Sequence, residues 1–313
     1  MTIALLFPGQ GAQRPGMLHT LPDTAPVTAV LTEARTICTE IGGPAALDTA
    51  VALRDTTATQ LGLLVAGVAC ARASHDDHGV AAQFVAGHSA GAFAAAVTAG
   101  VLTLREAMTA VRLRGEAMQQ ACRGARWGMA AVTGLSARSA RQLCAELTTT
   151  DDPVWVANIN SATQTVLAGT AGALAAARAA AEAHGARAFD PLEVAVASHG
   201  PVQNSTAVLL RAHLAGLPRR PPSARYITNT GGRSVDTADA VLDDLASSVA
   251  HPVRWYDGAR LLVELGVSCT IETSPGHTLT RLMHTIDPAV KALAVDDDGM
   301  ATVAARYRRY GSA

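Results

Sequence analysis

The chain has 313 residues, 49% of them hydrophobic, which is enough for a large core accompanied by a smaller domain. Its 25 Lys+Arg residues balance 26 Asp+Glu, so no global field draws it to nucleic acid or to an anionic membrane, and its partners have to be recognised locally. Cys38, Cys70, Cys122, Cys144 and Cys269 are odd in number and never spaced C-x-x-C, which argues against a disulfide framework and a zinc site and fits a reducing cytoplasm.

The apolar run from Ile3 to Phe7 predicts a strand buried on both faces, too short for a secretory leader and broken by Pro8 and Gly9. A glycine-rich turn, Pro8-Gly9-Gln10-Gly11, follows it. Thr56 to Ala73 carries apolar residues at helical spacing, and Gln83 to Ala86 is a short strand leading into Gly87-His88-Ser89-Ala90-Gly91, with an Ala-rich helix expected from the serine onward. Arg105 to Cys122 predicts an amphipathic helix carrying Arg112 and Arg114. No stretch approaches the roughly twenty apolar residues of a spanning helix, so no membrane partner is expected.

From Trp127 the rhythm changes to strand (Gly128 to Thr133), helix (Ala137 to Leu147), two strands (Val154 to Asn158, Thr165 to Ala168), helix (Ala171 to His184) and strand (Ala188 to Val196). This β-α-β-β-α-β order is the ferredoxin-like unit. The fold class expected is α/β: a large core over residues 1–125 and 199–313, with residues 126–198 inserted as a small ferredoxin-like domain. Beyond His199 the chain predicts a helix, a strand at Tyr226 to Thr230, helices over Ala238 to Val249 and Trp255 to Leu265, and a strand at Cys269 to Glu272. Arg306, Arg308 and Arg309 form a solvated helix end, with docking of a carrier protein as the minor alternative.

Gly87 to Gly91 matches G-x-S-x-G, the turn in which glycines relieve crowding so that a serine stands exposed between a strand and a helix. The helix N-terminus beneath Ser89 and the Ala90 N–H both favour a developing oxyanion. Serine needs a base, and there are ten histidines to choose from. His88 adjoins the serine but points elsewhere on a sharp turn, whereas His199 follows the last strand of the small domain and faces a cleft. His75 and His78, flanking Asp76 and Asp77, are expected in a solvated turn rather than a metal site.

Phe7-Pro8-Gly9-Gln10-Gly11-Ala12-Gln13, Thr59-Gln60 before a helix, the serine turn, Arg114-Gly115-Glu116-Ala117-Met118-Gln119, Asn158-Ile159-Asn160-Ser161, Ser198-His199, Pro252-Val253-Arg254-Trp255 and Ser274-Pro275-Gly276-His277-Thr278-Leu279 together resemble the malonyl-CoA:acyl carrier protein transacylase family over nearly the whole chain. The resemblance implies an α/β-hydrolase-like core in which Ser89 attacks a malonyl thioester with His199 as general base. It puts the oxyanion between the N–H groups of Gln10 and Ala90, and a backbone carbonyl near Ser248 behind the imidazole. Arg114 is implied as the holder of the free malonyl carboxylate. Met118 and Asn158 are implied as pocket residues, Met118 being nearly as well explained as plain core. The substrates are then coenzyme A thioesters and the prosthetic-group thiol of an acyl carrier protein, with no bound cofactor and no metal.

Gly16-Met17-Leu18-His19-Thr20-Leu21-Pro22, Ala90-Gly91-Ala92-Phe93, Gly128-Met129-Ala130-Ala131-Val132 and Val156-Ala157-Asn158 look most like the epsilon subunit of malonate decarboxylase, which implies loading of that enzyme's carrier subunit and contact with its other subunits. Enzymes of fatty-acid and polyketide synthesis are the alternative. An α/β-hydrolase esterase shares the serine turn but needs an acid between serine and histidine, for which Asp190 is the one occupant, close to His199 in sequence. A non-catalytic scaffold subunit is the remaining alternative.

Overall fold

The computed structural model describes residues 2–194 and 196–311. The expected first strand is β1 (Thr2–Phe7), and its unbroken apolar run has a simple cause: the strand has a core on each side. Ile3, Leu5 and Phe7 join one hydrophobic cluster while Ala4 and Leu6 join another, the two-residue alternation of a strand buried on both faces. After it come α1 (Ala25–Glu40), α2 (Thr56–Asp76), β2 (Phe84–Gly87), α3 (Gly91–Thr98) and α4 (Leu104–Ala121). Helix α2 is buried almost all round, packed among α1, α3 and α4, so it is the axis of the first cluster rather than an amphipathic surface helix.

The chain then forms β3 (Trp127–Thr133), α5 (Ala137–Leu147), β4 (Val154–Ile159), β5 (Gln164–Thr170), α6 (Ala171–Ala183) and β6 (Ala188–Pro191). These strands make a four-stranded antiparallel sheet in the order β4-β5-β3-β6. Val132, Leu143, Val156, Leu167, Ala177 and Phe189 pack in a cluster of their own between that sheet and its two helices. The expected strand to Val196 is shorter than the sequence suggests. Pairing stops at Pro191, and the residues beyond it leave the sheet to line a cleft, with Ala195 outside the described residues.

Next are α7 (Asn204–Ala215), β7 (Arg225–Ile227), β8 (Ser234–Val235), α8 (Ala238–Ser247), α9 (Trp255–Glu264), β9 (Val267–Glu272), α10 (Thr278–Ile286), β10 (Lys291–Ala294), α11 (Val295–Asp298) and α12 (Met300–Gly311). Six strands form the larger sheet in the order β10-β9-β1-β2-β7-β8, parallel except for β8. The chain is therefore a mixed α/β fold. Parallel pairing aligns the carboxyl ends of β1, β2, β7 and β9 on one rim, the place where ligands bind in open α/β sheets. Gln10, Ser89 and Asn229 all lie just past those ends. The smaller sheet is tied to the segment before α9 where Ile159 N–H donates to the Val253 carbonyl and Val253 N–H to the Ala157 carbonyl, both at 2.8 Å. A register shift between Val156 and Asn158 marks the same spot.

Candidate active site

The serine turn forms because two glycines allow it. A Cβ on Gly91 would lie 2.2 Å from the Phe7 carbonyl oxygen, and one on Gly87 would lie 2.2 Å from the Ala92 nitrogen, so β1, β2 and α3 converge only through bare backbone. The helix begins at Gly91 rather than at the serine, because Ser89 itself is left-handed, with φ of 54°. That conformation costs a residue with a side chain about 1–3 kcal/mol and concentrates at functional sites. His199 is the other such residue among those described, at φ of 59°.

These two side chains meet: Ser89 Oγ lies 2.7 Å from His199 Nε2. On the far side of the ring, His199 Nδ1 lies 2.7 Å from the Ser248 carbonyl, which can only accept, so Nδ1 carries the proton and Nε2 presents a lone pair to the serine. The helix expected over Ala238 to Val249 ends at Ser247 and tightens into a 3-10 turn at Ser248–Ala250, and the first carbonyl of that turn is the one aimed at the imidazole. The segment before His199 is held as well. Gln203 Nε2 donates to the Ala197 carbonyl at 2.8 Å, Trp155 Nε1 donates to the Ser198 carbonyl at 3.1 Å, and His199 N–H donates to the Val249 carbonyl at 2.7 Å.

Arg114 on α4 is 1% exposed and reaches the same point. Its Nη2 donates to Ser89 Oγ at 3.2 Å and its Nη1 to Gln60 Oε1 at 2.6 Å. Among the described residues no carboxylate pairs with it and its Nε has no partner. A buried guanidinium without a counter-ion is costly unless an anion comes to it. Burial lowers its pKa to about 10, so it stays charged at neutral pH. Gln60 links the arrangement together, with its Nε2 3.3 Å from Gln10 Oε1 and 3.5 Å from Met118 Sδ. Thr59 and Gln60 lie within α2, not before it.

Of the expected residues, Gln10, Ser89, Arg114, Met118, Asn158 and His199 line one cleft together with Gln60 and His88, while Ala90 and Ser248 are outside its lining. Among the described residues the buried Asn158 Oδ1 has no partner. Among the described residues the backbone N–H groups of Gln10 and Ala90 donate to no protein acceptor. His88 does turn away, with Nε2 3.1 Å from Asn160 Oδ1 and its ring tilted against Trp255, the centroids 5.6 Å apart. His75 lies in the last turn of α2 rather than in a loop, exposed and paired with Asp76, and no cluster able to hold a metal ion occurs among the described residues. Asp190 is exposed on β6, and it is the Ser248 carbonyl, not a carboxylate, that meets His199. The sequence did not point to Asn229, Trp155 or Gln203, whose partners are set by which loops lie side by side.

Burial pushes the His199 pKa from 6.5 to about 3, the neighbouring Arg114 charge acting in the same direction while the Ser248 carbonyl opposes it. A neutral imidazole therefore persists far into acid, and any rate that depends on His199 as a base is expected to show no fall with a midpoint near 6.5, as stopped-flow rates across that range will test. Stability moves the other way. Because the folded pKa is depressed, the unfolded chain takes the proton first, so the contribution of His199 is complete above 6.5 and is lost as pH falls from 6.5 toward 3.

A serine held against a neutral imidazole, with free backbone N–H groups and a buried cation at its side, is the equipment of acyl transfer. The profile of the Acyl transferase domain family matches residues 4–312, and the chain belongs to that family and is an acyltransferase. It is 32% identical over 296 residues to the malonyl CoA-acyl carrier protein transacylase of Escherichia coli strain K12, covering 94% of this chain and 96% of that one. The acyl-carrier-protein S-malonyltransferase of Burkholderia pseudomallei 1710b superimposes with a TM-score of 0.89 at 35% identity, over 97% of this chain and 100% of that one. A malonyl-transacylase solved in complex with its type II polyketide acyl-carrier protein superimposes with a TM-score of 0.90 at 32% identity, over 98% and 100% of the two chains.

Proposed function

We propose that the protein is a malonyl-CoA:acyl carrier protein transacylase that works through a malonyl ester on Ser89. The observation that carries this reading is Arg114, a buried cation with no carboxylate partner among the described residues, bonded to the same oxygen that faces His199. Ser89 Oγ attacks the thioester carbonyl carbon as its proton passes to His199 Nε2. The oxyanion is held by the N–H groups of Gln10 and Ala90 until the C–S bond breaks and the departing thiolate of coenzyme A takes the proton from His199. A carrier thiol then gives its proton to His199, attacks the ester carbonyl and returns the serine, which recovers the proton. The Ser248 carbonyl holds the imidazole tautomer throughout. Arg114 takes the malonyl carboxylate, with Met118 and Asn158 as pocket walls, and no metal or bound cofactor takes part.

The fold is taken as an α/β-hydrolase-like core, residues 1–125 and 199–313, with residues 126–198 as an inserted ferredoxin-like domain. The β4-β5-β3-β6 order and the separate hydrophobic cluster of that insert support this division. The physiological acceptor is taken to be the carrier subunit of malonate decarboxylase, on the sequence blocks around Met17, Met129 and Ala157. The names of the relatives equally fit acyl carrier proteins of fatty-acid or polyketide synthesis. Transfer rates from malonyl-CoA to the two kinds of carrier separate them. A higher kcat/KM for the decarboxylase carrier supports the first assignment, and a higher value for the acyl carrier protein replaces it with the second.

A further inference from the structure

We infer that Asn229 is a positioning residue that clamps the serine turn in its left-handed conformation. The inference rests on the proposed role of Ser89. Asn229 lies just past β7, and β7 pairs in parallel with β2, so strand order alone sets it opposite residues 87–89. Its side-chain amide spans the turn: Oδ1 accepts from Ser89 N–H at 2.8 Å, and Nδ2 donates to the Gly87 carbonyl at 2.9 Å. One planar group with an acceptor and a donor side by side thus closes a ring around His88. Without it, a half-buried N–H and a buried carbonyl lose their partners, and Ser89 is free to relax toward an ordinary φ, which carries Oγ away from His199.

Asn229 is itself anchored. Its backbone N–H donates to Asp244 Oδ2 at 2.9 Å, and Arg254 N–H donates to its carbonyl at 2.8 Å. Asp244 is 2% exposed and pairs with no cation among the described residues. Instead it collects donors, the Tyr226 hydroxyl at 2.9 Å and the N–H and hydroxyl of Thr230 at 2.9 and 2.8 Å. A buried carboxylate is thereby committed to fixing the loop that carries the clamp. Asn229 is outside the cleft lining, so it acts only through Ser89.

Asn229→Asp tests this with a signature that loss of stability does not reproduce. A protonated carboxyl has both an acceptor and a donor and restores the clamp, whereas an ionised one has no donor for the Gly87 carbonyl and repels it. The groups facing position 229 are Asp244 on α8, Tyr226 on β7, His88 within the turn and Arg254 before α9, whose side chain is paired with Asp257, with His199 and Arg114 beyond Ser89. Burial and the charge of Asp244 keep the new carboxyl protonated to higher pH than usual. Single-turnover acylation by malonyl-CoA is measured for wild type and variant, with circular dichroism recorded at each pH. At about pH 8 the variant is expected to acylate about 10- to 100-fold more slowly than wild type, the size of effect that misplacing a reacting atom produces. The ratio climbs as pH falls, and the KM for malonyl-CoA changes much less than the acylation rate, because Asn229 contributes no group to the cleft lining. Asn229→Ala is slow at every pH. A pH-independent ratio in folded Asn229→Asp protein, or wild-type rates for Asn229→Ala, overturns the inference. Wild-type protein that does not acylate at Ser89 contradicts the proposed nucleophile instead, a separate outcome.

Discussion

Ser89→Ala is expected to abolish malonyl transfer, and His199→Ala to slow it by about 10²- to 10⁴-fold, the usual contribution of a positioned general base. The difference in depth follows from the chemistry proposed. Without the serine oxygen there is nothing to acylate, whereas without the imidazole the hydroxyl still stands among the donors of the turn and Arg114. Both variants are expected to fold, since among the described residues Ser89 Oγ bonds only to His199 and Arg114, and the turn is held by backbone and Asn229 contacts that survive. Continuous thiol-release assays with matched circular dichroism measure both effects. Transfer at more than a few per cent of the wild-type rate in Ser89→Ala would remove the covalent mechanism.

Arg114→Ala is expected to lower kcat/KM for malonyl-CoA by about 10²-fold or more, the loss of charge-assisted hydrogen bonds worth about 1.5–3 kcal/mol each. Acetyl-CoA has no carboxylate to lose, so the preference between the two donors shifts toward acetyl. The same change reaches the base. Arg114 helps depress the His199 pKa, and removing it favours the imidazolium, so the acid limb of the rate profile moves to higher pH. Arg114→Lys is a poor substitute, because a point charge does not reproduce the planar fork that serves Gln60, Ser89 and a carboxylate at once. An unchanged malonyl to acetyl ratio in Arg114→Ala, measured by competition, would exclude the arginine from donor selection.

Some of this architecture was legible because the signal was local. The run Ile3 to Phe7 needed no partner to be identified as a doubly buried strand, and Gly87 and Gly91 announced a turn too tight for side chains. Helix α1 was missed for an equally local reason. Its buried face, Val27, Val30, Ala34 and Ile37, has helical spacing, but Thr28, Thr32, Thr36 and Thr39 lie on the intervening positions and lower helix propensity. Short edge elements such as β10, four residues long, carry too little pattern to detect.

The rest of the site was hidden because it is tertiary or because it is backbone. Ser248 contributes a carbonyl, so its side chain carries no signal and only the family resemblance pointed to its position, while its aim depends on the switch from α8 to a 3-10 turn. The left-handed conformation of His199 is written in no glycine. It is imposed by Gln203, Trp155 and Val249, which hold the segment from different elements. Asn229 meets Ser89 only because β7 lies beside β2, a neighbour relation that spacing along the chain does not reveal.

The most direct test of the central claim is peptide-mapped mass spectrometry of the intact protein after brief exposure to malonyl-CoA with no carrier present. The account predicts one malonyl group, carried by the peptide that contains Ser89, which is discharged when a carrier thiol is added. A malonyl group on any other residue, or transfer to the carrier with no enzyme-bound acyl group detected at any time, would contradict it.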